Sequence, residues 1–266
     1  MPHSDIDHEL VSAAQAGSAA QVSELLACGA DPESSRSAAL RAAAEFGHVE
    51  CARLLLTVSE AKDRECEALL YESEALRGAA YNGHAECVRM LLSVSDAKAE
   101  DSWPLLLAAG NGHVECLRVL LPVSDPMADG SLALRDAARN GHEECVRLLL
   151  PGSDPKAGDF RALRAAAHYG RVGCVRLLLA ASSPLCEIGG LLEKVIESGQ
   201  AKMAALLIGE EPRLLDGVDL SKCLAVALEK GQKDMAGLLS SIMDKRELMD
   251  VAPDAAACGG RWHARL

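Results

Sequence analysis

The chain has 266 residues, a net charge of −12, a pI near 5.1, and only two Trp, three Tyr and two Phe. That acidity argues against a duplex nucleic-acid backbone as partner. No apolar run approaches the ~18 residues of a membrane span, and the opening Met-Pro-His-Ser-Asp-Ile-Asp-His lacks the cationic and apolar regions of a secretory leader.

Similar ten-residue stretches open at eight glycines: GSAAQVSELL at Gly17, GHVECARLLL at Gly47, GHAECVRMLL at Gly83, GHVECLRVLL at Gly112, GHEECVRLLL at Gly141, GRVGCVRLLL at Gly170, GQAKMAALLI at Gly199 and GQKDMAGLLS at Gly231. Self-similarity at a period near 30 predicts a stacked-repeat architecture. Seven residues before the glycine stands a leucine (Leu40, Leu76, Leu105, Leu134, Leu163), and alanine pairs stand four and three before it. Those positions share one helical face, and the apolar positions after the glycine again have helical spacing. Each period therefore predicts helix, Gly-containing turn, helix, and a polar connector such as Ser124-Asp125-Pro126. One such pair cannot hide both apolar stripes, so successive pairs stack into a one-dimensional core.

In chain order the repeats fall at about 5–34, 35–58, 59–101, 102–130, 131–158, 159–187, 188–217 and 218–243, one elongated solenoid over 1–243. The first has a polar face suited to a cap. The third holds seven extra residues within Ser59–Ser73. Seven residues is two helical turns, so the insertion either lengthens that repeat's first helix by about 10 Å, starting near Asp63, or loops out. Ser73, Ser102 and Ser131, with Asp159 nearby in the next repeat, are candidate N-caps. The last two repeats replace His and Cys and gain Met203 and Met235, as a degenerate cap would. Residues 244–266 read as a flexible tail, in which Arg261 and Trp262 are either a docking peptide or a segment without function.

The combined pattern x-x-L-x-x-A-A-x-x-G-H-x-E-x-V-x-L-L-L resembles the ankyrin repeat over roughly Asp5 to Met243. The resemblance implies an all-α, ankyrin-type solenoid of about eight helix–turn–helix repeats whose concave inner-helix face grips another protein. The family's Thr-Pro-Leu-His box is mostly gone: only Pro104-Leu105 keeps part of it, and Arg41, Arg77, Arg135 and Arg164 stand in the histidine's place. A spacing of 29 between Gly83, Gly112, Gly141 and Gly170, against about 33 for the family, predicts short fingers.

Cys51, Cys87, Cys116, Cys145 and Cys174 recur at one helix position. Successive helices lie about 10 Å apart, beyond disulfide reach, so these read as buried apolar residues in a reducing, cytoplasmic compartment. His48, His84, His113 and His142 each precede such a cysteine by three residues. One His–Cys pair could hold half of a tetrahedral zinc site; the favoured reading has His capping its helix, as in ankyrin repeats, with Cys in the core and no cofactor or metal. Glu50/Arg53, Glu86/Arg89, Glu115/Arg118 and Glu144/Arg147 predict a solvated charge ladder. The Arg41, Arg77, Arg135 and Arg164 series either pairs internally with Asp96, Asp125 and Asp154, the favoured reading, or faces a carboxylate-rich partner.

The two positions before the turn glycine edge the concave face in the family. They hold Glu45-Phe46, Tyr81-Asn82, Gly110-Asn111, Arg139-Asn140 and His168-Tyr169. Rings beside a turn either cover neighbouring repeats or anchor an interface. The candidate partner-binding set is Phe46, Tyr81, Asn82, Trp103, Asn111, Arg139, Asn140, His168 and Tyr169, with Phe160 weaker. No nucleophile elbow, phosphate-cradling loop or zinc-protease motif occurs. The sequence thus reads as a non-catalytic scaffold that acts as a monomer on one protein partner. Its Ala-rich, Arg-over-Lys style suggests bacteria, which leaves two roles: an effector acting in a host cytoplasm, or an immunity protein neutralising a co-encoded enzyme. Rivals are a metal-dependent enzyme and an end-to-end assembly protein.

Overall fold

A computed structural model describes residues 3–59, 66–95, 97, 99–182, 190–210, 212–215 and 218–251. The contacts group into two compact units, Met1–Ser183 and Pro184–Leu266. The first holds six helix pairs: α1 (His3–Gln15) with α2 (Ala19–Ala27), α3 (Ser34–Glu45) with α4 (Val49–Ser59), α5 (Cys66–Asn82) with α6 (Ala85–Leu91), α7 (Ala99–Gly110) with α8 (Val114–Leu120), α9 (Ala128–Asn140) with α10 (Glu143–Leu149), and α11 (Ala157–His168) with α12 (Val172–Ser182). The second pairs α13 (Leu191–Glu197) with α14 (Ala201–Glu210), and α15 (Leu220–Glu229) with α16 (Lys233–Val251). No strand occurs among the described residues, so the fold is an all-α solenoid without hairpin fingers there.

In the first unit the odd-numbered helices form an inner row and the even-numbered ones an outer row, each helix packing on its counterparts in adjacent repeats. The inner row is made from small residues. Ala43/Ala44, Ala79/Ala80, Ala108/Ala109, Ala137/Ala138 and Ala166/Ala167 are fully buried. Inner neighbours consequently pack more extensively than outer neighbours do, which makes the inner flank the concave one. Leu76, Leu105, Leu134 and Leu163 fill the seam between rows, and Cys87, Cys116, Cys145 and Cys174 fill the outer helices' side of it.

The turn joining the rows carries the repeat-to-repeat fastening. Gly17, Gly47, Gly83, Gly112 and Gly141 all have φ between 72° and 90°, a region that side chains with a Cβ avoid. They are also notched for the next repeat. A Cβ on Gly17, Gly83 or Gly112 would lie 2.5 Å from Nδ1 of His48, His113 or His142, and Gly47 meets His84 in the same way. Through that notch each imidazole reaches the carbonyl at the end of the preceding inner helix: His48 Nε2 to Gln15 O at 2.9 Å, His84 to Glu45 O at 2.9 Å, His113 to Tyr81 O at 2.8 Å and His142 to Gly110 O at 3.1 Å. These are helix C-terminal carbonyls without intrahelical partners. The histidines therefore do not cap their own helices, as the family resemblance had implied; they satisfy the repeat before. Arg171 takes the same place toward Gly141 and Arg139 O, and in the second unit Gln232 does so toward Gly199 and Glu197 O.

The shortened connector is closed by a left-handed turn rather than a hairpin. Asp129, Gly130 and Ser131 are all left-handed, as are Gly158, Asp159 and Phe160; Ser35, Ser37 and Ser102 share the conformation. Regular right-handed helix starts after these residues, which places Pro104 of α7 in a first turn, where its missing N–H costs nothing. Ser102 and Ser131 are not N-caps: their buried hydroxyls accept the N–H of Asp125 at 3.0 Å and of Asp154 at 2.9 Å in the next connector. Ser73 is not one either, because it lies well inside α5.

That helix takes up part of the insertion. α5 has 17 residues against 12 or 13 in α3, α7, α9 and α11. The four or five extra residues lengthen it by about 7 Å, and no left-handed residue is found in it. It is described from Cys66 onward; residues 60–65, which include the expected start near Asp63, and the side chains of Cys66 and Leu69 lie outside the described residues. The C-terminal segment also differs from expectation, because α16 continues through Val251, past the Asp244 at which a tail was expected. Arg261 and Trp262 lie outside the described residues.

The notch makes a specific prediction. Gly130 has φ 63° and open space around its Cβ position, whereas Gly112 has φ 79° and the His142 ring there. Gly130→Ala should cost about 1 kcal/mol from backbone strain alone. Gly112→Ala should cost roughly 2–4 kcal/mol, because strain, clash and a lost hydrogen bond combine. In urea unfolding, His142→Ala should cost less in the Gly112→Ala background than in wild type; simple additivity would contradict the notch.

Candidate functional site

The exposed flank of the inner row is built from a fixed set of helix positions. The core leucine and the alanine pair face the outer helices. What remains facing away, at helical spacing, is the position two before the leucine, the two after it, and the two before the turn glycine. On α3 these are Ala38, Arg41, Ala42 (itself buried), Glu45 and Phe46; on α5, Glu74, Arg77, Gly78, Tyr81 and Asn82; on α7, Trp103, Leu106, Leu107, Gly110 and Asn111; on α9, Leu132, Arg135, Asp136, Arg139 and Asn140; on α11, Arg161, Arg164, Ala165, His168 and Tyr169.

All nine candidate residues lie on this flank and are exposed. Phe46 and Tyr81 are each 53% accessible, Tyr169 46% and Trp103 45%. Tyr169 is the centre of a cluster: the Arg139 guanidinium lies 5.1 Å from its ring centroid, and His168 meets it edge-on at 4.9 Å. Phe46 stacks on His48 with centroids 6.4 Å apart. The three asparagines are partly committed. Asn82 and Asn111 donate to carbonyls of their own helix ends, Gly78 O at 3.0 Å and Leu107 O at 2.9 Å, and Asn140 donates to Gly110 O of the preceding repeat at 2.6 Å. They close helix ends while presenting their other amide atoms outward. Phe160 is different. It is 3% exposed, turned inward by the left-handed turn, and is a core residue rather than a contact residue.

The arginine series pairs internally, and among the described residues its ion pairs are with acids other than Asp125 and Asp154. Arg41 meets Glu74 of the next inner helix at 2.7 Å, and Arg77 meets the same carboxylate at 3.8 Å. Arg135 pairs with Asp136 at 2.9 Å and Arg164 with Asp159 at 2.6 Å. Asp125 and Asp154 instead accept the N–H two residues on, from Met127 and Lys156, which closes their turns; Asp96 lies outside the described residues. The expected ladder is present on the outer row. Glu50–Arg53 spans 2.6 Å and Glu115–Arg118 3.6 Å, Glu86–Arg89 and Glu144–Arg147 are paired, and Arg118 also reaches Glu144 of the next repeat at 3.2 Å.

Two partly exposed residues escaped the sequence reading. Leu106 stands where four other repeats carry arginine, and Leu107 follows it; both are half-buried on the flank beside Trp103. The signal was visible as the one gap in the arginine series. Trp103, Leu106 and Leu132 line a shallow depression of about 30 Å³, with Asp125 and Asp129 at its connector end.

A family model of ankyrin repeats, three copies per match, fits residues 10–101, 76–159 and 105–189. This chain belongs to the ankyrin-repeat family. No curated protein matches it. Among solved structures 161 chains match. One is the crystal structure of the human ASB11 ankyrin repeat domain, 25% identical with a TM-score of 0.63, an alignment that covers 76% of this chain and 97% of that one. Ankyrin repeats are generally protein–protein interaction modules and typically non-catalytic. No helix among the described residues is long and apolar enough to cross a membrane.

The thiol column behaves as core in this ankyrin stack. Burial pushes Cys87, Cys116, Cys145 and Cys174 up to about 11, with neighbouring acids such as Glu86 and Glu144 adding to it. They remain protonated at neutral pH, which suits neither nucleophile nor metal ligand. Among the described residues no group of three or more His, Cys, Asp or Glu is placed to hold a metal. An unfolded thiol ionises near pH 8.5, so the folded chain keeps protons that the unfolded chain releases. The thiols' contribution is fully present below about pH 8.5 and is lost as pH rises toward 11. The urea midpoint followed by circular dichroism should fall across that window, and less steeply in Cys116→Ala/Cys145→Ala; an unchanged slope would show that these thiols are not buried as described.

Proposed function

We propose that the chain is a non-catalytic scaffold that holds one protein partner on the concave inner-helix flank of its first unit and acts as a monomer. The observation that carries this reading is the exposure of four large rings, Phe46, Tyr81, Trp103 and Tyr169, in a chain with only seven aromatic residues. A ring of 150–250 Å² left half in water forgoes about 2 kcal/mol of burial. Packing against the protein itself could supply that, and at these four sites it does not. Tyr and Trp are also the side chains that anchor interfaces best.

The mechanism is steric and stoichiometric: a rigid flank masks, recruits or tethers what docks on it. The Arg139–His168–Tyr169 cluster supports this, because the guanidinium and imidazole hold the ring in one orientation before any partner arrives, which lowers the ordering cost of binding.

Affinity capture from cells that express the chain naturally provides the test. A Phe46→Ala/Tyr81→Ala/Tyr169→Ala variant should fold with an unchanged circular dichroism spectrum and lose its principal captured protein, or hold it at least tenfold more weakly. A partner set unchanged by the triple substitution would place binding elsewhere.

A further inference from the structure

The flank is not uniform along the stack. α3 and α5 carry Glu45 and Glu74 with Arg41 and Arg77. α9 and α11 carry Arg135, Arg139, Arg161 and Arg164 against Asp136 and Asp159. Between them α7 presents no charge at these positions: Trp103, Leu106, Leu107, Gly110 and Asn111. Its apolar strip is widened by Tyr81 on one side and Leu132 on the other, all at least partly exposed.

The charges beside the strip are unequal in what they are free to do. Arg41, Arg77, Arg135 and Arg164 are engaged with Glu74, Asp136 and Asp159. Arg139 and Arg161 are exposed and form no ion pair among the described residues; Arg139 lies over the Tyr169 ring and remains open to solvent. In a chain of net charge −12 this local cationic end is a reversal of sign. The connector end of the depression holds Asp125 and Asp129. A ligand carboxylate is therefore repelled beside Trp103 itself and attracted one to two repeats further on.

Resting on the concave-flank reading above, we infer that the partner presents a segment with one bulky apolar side chain, seated over Trp103, Leu106 and Leu132, and one or more carboxylates toward Arg139 and Arg161. Inner helices lie about 10 Å apart, so the anchor and the acids are separated by about 10–20 Å. That is three to six residues of extended chain, or seven to thirteen of helix. The apolar anchor supplies affinity through desolvation. The arginines set direction along the stack and speed the encounter.

A phage-displayed library of random peptides about sixteen residues long, enough to span that distance extended or helical, is the probe, selected on the full chain. Recovered peptides should combine Trp, Phe or Leu with Asp or Glu at the stated separation, and should bind more weakly as salt is raised. Leu106→Arg introduces the residue that α3, α5, α9 and α11 carry at this position, so it should fold normally and weaken these peptides at least tenfold. Arg139→Glu/Arg161→Glu should weaken them comparably and favour versions with Lys in place of the acids.

A recovered set without acidic bias, peptides indifferent to both variants, or no peptides at all would overturn the inference. Peptides lost with the Phe46/Tyr81/Tyr169 substitution but untouched by Leu106→Arg and by the arginine reversal would keep the docking flank and discard this anchor and charge pattern. Peptides indifferent to every variant would discard both.

Discussion

The stack depends on a histidine entering the space that a missing side chain leaves. Each inner helix ends with carbonyls that its own backbone cannot satisfy. The next repeat supplies the donor, an imidazole Nε2 that passes over the turn glycine. Glycine is required twice over, for its positive φ and for the notch. This bond sets register as well as contributing energy. A helix pair cannot slide along its neighbour without withdrawing the ring from its notch, so the alanine, leucine and cysteine layers beneath stay aligned. Where histidine is replaced, by Arg171 or Gln232, the substitute still reaches back to the same kind of carbonyl.

The repeats were legible in the sequence because the fastening and core positions recur at fixed spacing. Gly112-His113, Leu105, Ala108/Ala109 and Cys116 have counterparts in the adjacent repeats, and periodicity finds such positions. What the histidines do was not legible. A His following a turn glycine sits at a helix start, and helix starts suggest capping; its actual partner is 32 to 39 residues away in sequence, which local pattern does not encode. The partners of the connector serines are hidden from local pattern for the same reason. Left-handed turns at Asp129–Ser131 and Gly158–Phe160 rotate the next residues' side chains, so Ser131 meets the following connector and Phe160 turns inward. Sequence spacing assumes right-handed geometry throughout and fails at those turns.

On the candidate flank, position was readable and occupancy was not. The residues before each turn glycine are exposed, as the helical period requires. That Asn82, Asn111 and Asn140 spend donors on helix-end carbonyls, or that Arg41 reaches forward to Glu74 rather than to a connector acid, follows from rotamers and inter-helix distance. Leu106 was present in the sequence as an exception to the arginine series. Exceptions to a repeat are where the flank departs from what stacking alone requires.

The separation between fastening and flank positions has an evolutionary consequence. Residues that hold the repeats together point into the seam or across the turn; residues that face outward touch mainly solvent or one neighbour. Selection can rewrite the outward set one repeat at a time with little penalty in stability, since the seam does not register the change. The first unit is in that sense a rack of fixed pitch with interchangeable faces, and α7, with its uncharged face between charged ones, is one slot whose face differs from its neighbours'.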